Sequence, residues 1–186
     1  MNKVAIEINL EFTPNPNTLK YSLNRQILVT GTENYTARAE AQEFSPLASK
    51  LFNIDDIEGV MIGSTFITIT LKTHDNLREL NKAVMHTIKD HLESGEIICY
   101  PRDQDAVKGE DSETASRIRE IIDQEIRPAV AMDGGDITFD RLENGTVYLH
   151  MIGACSGCPS STMTLKMGIQ SRLQQEFPEV VDVMPI

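Results

Sequence analysis

The spacing of apolar positions changes along the chain, and each change predicts an element. Residues 5–12 read as a strand, closed by Thr13-Pro14-Asn15-Pro16-Asn17, a turn of residues that restrict φ or bond their own backbone. Residues 19–23 and 26–30 are short strand candidates. Ser45-Pro46 opens a helix over 47–52, with Ser45 as N-cap and Pro46 at the first helical position, where a missing amide costs nothing. Residues 59–62 and 65–71 make a hairpin around Gly63-Ser64, in which Phe66, Thr68 and Thr70 alternate with Ile67, Ile69 and Leu71. Asn76 and Glu79 have capping-box spacing. Behind them Leu77, Leu80, Val84, Ile88 and Leu92 keep a helical period until Gly95.

Beyond residue 111 the pattern is simpler. Ser112 caps a helix with an apolar stripe of Ala115, Ile118, Ile122 and Ile126, bending or ending near Pro128. Asp133-Gly134-Gly135 is a turn. Strands over 137–142 and 147–152 flank Asn144-Gly145, the strongest short hairpin signal. A helix carrying Leu165, Ile169 and Leu173 on one face ends at Pro178, and residues 180–184 form a closing strand. The polar, acidic and aperiodic run 100–111 reads as a linker, spanning about 20 Å as a random coil. The expectation is an α+β protein of two small domains, 1–98 and 112–186, joined by a linker over 99–111, the second ordered helix, strand, strand, helix, strand.

Composition narrows the function. The net charge of −11 disfavours nucleic acid and anionic membrane surfaces as partners, and no apolar run is long enough to span a membrane. The first residues carry neither a signal-peptide core nor an Arg-rich transit pattern. Three cysteines are too few and odd in number for a secreted disulfide framework. A reducing compartment is expected, most simply a bacterial cytoplasm; a mature organellar form without its presequence has the same composition.

Two of those cysteines lie in Gly153-Ala154-Cys155-Ser156-Gly157-Cys158-Pro159, with Cys158 beside the start of a helix and Cys155 within a turn of it. Amides and the macrodipole at such an end favour thiolate over thiol. Three chemistries fit a C-x-x-C pair. Thiol–disulfide exchange fits the helix-start position, although the pair follows a hairpin rather than the first strand of a βαβ unit. A closed zinc site needs four ligands, and the chain offers no second pair; His150 and Cys99 would have to be recruited by folding. An iron–sulfur cluster takes four thiolates, which two chains related by a two-fold axis would supply. Between Glu143 and Glu176 there is no Asp or Glu, where average composition places about five, and Lys166 and Arg172 are present. A four-thiolate [4Fe-4S] core of about −2 suits that stretch, and two helix N-termini offset roughly +1 of it.

The remaining candidates have plainer roles. Cys99 reads as a half-buried apolar residue, His74, His86 and His91 as solvated, and His150 as an ordinary sheet position. Asp133 and Asp136 serve the turn. Met151, Met163, Met167 and Met184 are core filler. No phosphate loop, dinucleotide fingerprint or serine-nucleophile elbow is present.

Taken together, Ile126-Arg127-Pro128, Asp133-Gly134-Gly135-Asp136, the Gly153 to Ser161 run, Gly168-Ile169 and Phe177-Pro178-Glu179-Val180 resemble the NifU C-terminal (Nfu) domain. Thr13-Pro14-Asn15-Pro16-Asn17-Thr18-Leu19-Lys20, Ser45-Pro46-Leu47-Ala48 and the run 59–69 resemble the Nfu N-terminal domain, with only a weak match over 24–44. The resemblance implies a non-enzymatic carrier that holds a [4Fe-4S] cluster, or a [2Fe-2S] one, at a homodimer seam. Its ligands would be Cys155 and Cys158, its partners upstream scaffold proteins and recipient apo-proteins. A thiol–disulfide oxidoreductase using the same pair is the alternative.

Overall fold

The computed structural model describes residues 5–101, 112–156 and 159–186, without the side chains of 159–162. It divides into two compact units, Met1–Arg102 and Asp103–Ile186, and both are α+β.

In the first unit, strands β1 (Ile8–Phe12), β2 (Thr18–Leu23), β3 (Glu33–Tyr35), β4 (Ile57–Ile62) and β5 (Phe66–Leu71) form one antiparallel sheet in the order β1-β2-β5-β4-β3. Helices α1 (Arg38–Phe44), α2 (Pro46–Leu51) and α3 (Leu77–Ser94) complete it. Alternation puts Ile67, Ile69 and Leu71 of β5 into the core with Leu19 and Tyr21 of β2. Leu80, Val84 and Ile88, one turn apart on α3, bury against the same cluster. The turn before β2 closes as its residues dictate: the Asn15 side chain accepts from the Asn17 amide at 3.0 Å, and the Asn15 carbonyl from the Thr18 amide at 3.0 Å. The Ser45 hydroxyl caps α2 through the Ala48 amide (3.0 Å) and donates to the Ile98 carbonyl (2.6 Å). Cys99 then packs against the core, and the Tyr100 amide donates to the Phe44 carbonyl at 2.7 Å, so ordered packing runs past residue 98. Residues 102–111 of the expected linker lie outside the described residues.

Two local expectations fail here. Residues 26–30 form no strand; the Ile27 amide is taken by the Ser64 carbonyl at 2.7 Å, which ties this segment to the β4–β5 turn instead. Asn76 is in the left-handed region (φ 58°) with no side-chain bond to the helix, so it and Glu79 form no capping box. β3 and α1 lie in a stretch whose sequence signals neither.

The second unit begins with α4 (Glu113–Ile121), capped by Ser112. A π-helical turn, Ile122–Ile126, follows, and α5 (Arg127–Met132) continues it. Pro128 therefore does not end the run: the wider turn, closed by the Arg127 amide on the Ile122 carbonyl, accommodates the ring and the lost donor. β6 (Gly135–Glu143) and β7 (Thr146–Gly153) make the expected hairpin, with Asn144 at φ 49° and Gly145 at φ 77°. α6 (Pro159–Glu176) returns the chain to β8 (Asp182–Pro185), which pairs in parallel with β7. The sheet order is β6-β7-β8, and Ile118, Ile122, Ile137, Leu149, Ile169 and Leu173 fill the core beneath it.

β8 lies at the sheet edge, and its outward backbone is blunted. The Asp182 and Ile186 amides face inward, onto the Gly145 and Leu149 carbonyls. Of the outward positions, Val183 has its amide bonded to the Asp182 side chain at 2.8 Å and Pro185 has no amide. Among the described residues no helix is long and apolar enough to cross a membrane.

Candidate functional site

The site is built where β7 leaves the sheet. Gly153, at φ 63°, turns the chain; the Ala154 amide donates to the Gly134 carbonyl (3.1 Å) and the Ser156 amide and hydroxyl to the Gly153 carbonyl (3.2 and 2.9 Å). This compact turn holds Cys155 with only 6% of its surface exposed. Gly135, facing Gly153 across the hairpin, makes the room: a Cβ there would overlap the Cys155 sulfur and lie 3.0 Å from its backbone nitrogen. Gly134, at φ 80°, provides the turn before it.

Beside the glycines lies a buried charge pair. Asp136 is 2% exposed, and Arg127 donates to both its oxygens, from Nε at 2.8 Å and Nη2 at 2.7 Å. Asp136 also accepts the Ile137 amide at 2.8 Å, and Arg127 reaches Asp123 through Nη1 at 3.0 Å. The carboxylate holds the Arg127 guanidinium well above its ordinary value. Asp136 is thus a fixed strut as well as a turn residue, a role that the sequence leaves unmarked.

The electrostatics around Cys155 differ from the expectation. Burial, then the carboxylates of Asp133 and Asp136, push its thiol up to about 12. The stretch from 144 to 175 is free of acids in sequence, but the fold sets Asp133, from the end of α5, and Asp136, from β6, to act on Cys155. At neutral pH Cys155 rests as a thiol, against the thiolate expected from the nearby helix start. Cys158 lies outside the described residues.

The topology is also corrected. Since β8 is parallel to β7, the loop does stand at the first turn of a βαβ crossover, so topology offers no objection to thiol exchange. The raised thiol of Cys155 counts against that residue as the attacker, because thiolate is the attacking form.

The other candidates do not converge on Cys155. Cys99 is half-buried against the first unit's core, its thiol 3.7 Å from the Ser45 hydroxyl. His150 is exposed and 3.2 Å from Asp140. His74 meets Asn17 at 2.9 Å, and His86 meets Asp90 at 3.1 Å on the solvated face of α3. His91 is not solvated: it is 1% exposed, its Nδ1 accepting from Lys50 (3.2 Å) and its Nε2 donating to the Ile97 carbonyl (3.2 Å). Of the four methionines read as core, Met151 is buried, whereas Met163, Met167 and Met184 are exposed. Among the described residues no three His, Cys, Asp or Glu side chains group so as to hold a metal ion.

Two family models match the chain: Scaffold protein Nfu/NifU N terminal over residues 8–95 and the NifU-like domain over 118–184. A relative from Homo sapiens, called NFU1 iron-sulfur cluster scaffold homolog, mitochondrial, is 38% identical over 95% of this chain and 70% of its own length. Its counterpart of the same name from Drosophila persimilis is 38% identical over 98% of this chain, which spans 66% of that protein, just under two thirds. A solution structure of a NifU-like protein from Saccharomyces cerevisiae is 25% identical, with a TM-score of 0.46, over 53% of this chain and 89% of that one.

Proposed function

Because the chain belongs to the Nfu family of iron–sulfur cluster scaffold proteins, we propose that its C-terminal unit carries a [4Fe-4S] cluster between two copies of itself and passes it to apo-proteins. Cys155 and Cys158 of each copy supply the thiolates, four in all, as such a core requires. The observation that carries this reading is the seat of Cys155. A glycine is spent on making room for one sulfur, in a unit with one other cysteine, and no third donor groups with it among the described residues. The cluster is cargo. The protein's part is to hold two ligands three positions apart in the chain, so that one pair of thiolates is replaced by a recipient's cysteines with no bond made or broken in the polypeptide.

The protonation state of Cys155 has a place in this reading. A coordinated thiol is deprotonated outright, so loading expels the Cys155 proton and becomes easier as pH rises. The proposed compartment is a reducing one; the human and Drosophila relatives are named as mitochondrial. The N-terminal unit is proposed to recognise donors or recipients.

The test is anaerobic reconstitution with iron and sulfide, read by absorbance between about 300 and 500 nm and by iron content. Brown protein with about two iron atoms per chain is expected, and loss of both in Cys155→Ser. Folded protein that stays colourless contradicts the proposal, and colourless protein that cycles with a dithiol reductant supports exchange chemistry instead.

A further inference from the structure

The second unit carries a cleft of roughly 370 Å³ between the π-turn–α5 run and α6, with Val130, Leu165 and Ile169 among its lining. One end is closed by the paired Glu125 and Arg172, at 2.7 and 2.8 Å. Eight residues along each helix, roughly 12 Å at the helical rise, the walls reach Asp133 and Thr164. That end adjoins the cysteine turn: Asp133 is one of the carboxylates acting on Cys155, and Thr164 stands in the second turn of α6.

Gly168 forms part of one wall, in the interior of an 18-residue helix. Glycine there weakens a helix relative to alanine. No packing in this chain asks for it, since a Cβ at 168 would meet nothing within 4 Å among the described residues. The space it leaves is open to something outside the chain. On the neighbouring stripe of α6 stand Met163 and Met167, 59% and 65% exposed, and beyond the opposite wall Met132, 72% exposed.

We propose that this cleft receives methionine side chains from a second copy of the same unit, forming the contact that holds the cluster-bridged pair together; the inference rests on the bridging reading above. A two-fold interface requires one patch to hold both socket and plug, and this face has both. Methionine, unbranched and polarisable, suits an irregular apolar cleft. Bridging by two cysteine turns brings the partner's surface over the cleft's open end. The blunted edge of β8 disfavours sheet extension through that strand.

The chain, reconstituted anaerobically, is compared with Gly168→Leu and with Met163→Lys/Met167→Lys. The free protein has room for the leucine, and the lysines are placed at exposed positions, so the thermal midpoints of the unloaded proteins stay at or above wild type. Loaded mass by light scattering and the rate of colour loss to a ferrous chelator are then read. Both variants are expected to lose the loaded dimer and to release iron roughly tenfold faster, as when a packed interface side chain is displaced. Wild-type retention in both overturns the proposal while leaving cluster binding intact. Wild-type retention with slowed delivery to a cysteine-bearing apo-protein assigns the cleft to recipients and also overturns it. A lowered midpoint of the unloaded protein in both variants makes the face a folding surface and overturns it too. Colourless wild type removes the bridging reading itself.

Discussion

Gly135 and Cys155 occupy one small volume: the sulfur of the second stands where the side chain of any other residue at the first would begin. The hairpin register that pairs Gly135 with Gly153 is therefore part of the site, since a slip of one residue would put Asp136 or Gly134 against the sulfur.

Gly135→Ala is the direct probe of that relationship. The methyl must displace Cys155, whose backbone nitrogen lies 3.0 Å away, and such overpacking costs about 1–3 kcal/mol. Urea unfolding should show that loss in the C-terminal unit, with iron retention falling further than stability alone explains. A variant that holds iron as well as wild type would show that Cys155 can bind from another position.

Arg127 and Asp136 make the second prediction. Arg127→Ala leaves a carboxylate that is 2% exposed without its bidentate partner, and the cost should be about 3 kcal/mol, at the low end for a broken buried pair because Arg127 retains some solvent contact. Replacing both by apolar residues of similar volume should cost less than either single change. Denaturant midpoints for the two single variants and the double decide this; additive losses would mean that the pair does not act as a unit.

His91 sets a pH dependence in the N-terminal unit. Burial, then the Lys50 ammonium, holds its folded-state pKa below the ordinary histidine value. The unfolded chain takes up a proton near pH 6.5 while the folded one does not. This contribution is therefore whole above about pH 6.5, falls as pH drops below it, and levels off under the lowered folded value. Urea midpoints at about pH 7.5 and 5.5 should show the N-terminal unit weakening at the lower pH, and His91→Gln should flatten that difference. An unchanged difference in His91→Gln would place the dependence elsewhere.

Much of this was legible in the residues because it is local. Asn144-Gly145, Ser45-Pro46 and Ser112 each contain their whole reason within four residues, and each stands where expected. The helix faces of α3 and α6 were equally readable, since burial follows a period. What escaped depends on neighbours distant in sequence. The direction of β8 is set by the crossover of α6, and β3 is three residues held by β4. His91 is held by Lys50 and Ile97, and the acids that act on Cys155 come from the end of α5 and from β6. The methionines of α6 have helical spacing but stand beside the apolar stripe rather than on it, which hydrophobicity alone does not distinguish. For the site itself, the cysteine spacing pointed to the chemistry, while Gly135 and the Arg127–Asp136 pair emerged from the fold.

Native mass measurement of the anaerobically reconstituted two-unit chain tests the central claim most directly. One dominant iron-bearing species of two chains with a single four-iron core is expected, replaced by metal-free monomers when Cys155 or Cys158 is changed to serine. Iron held stoichiometrically by a single chain, or a two-chain species that survives both replacements with its iron, would contradict it.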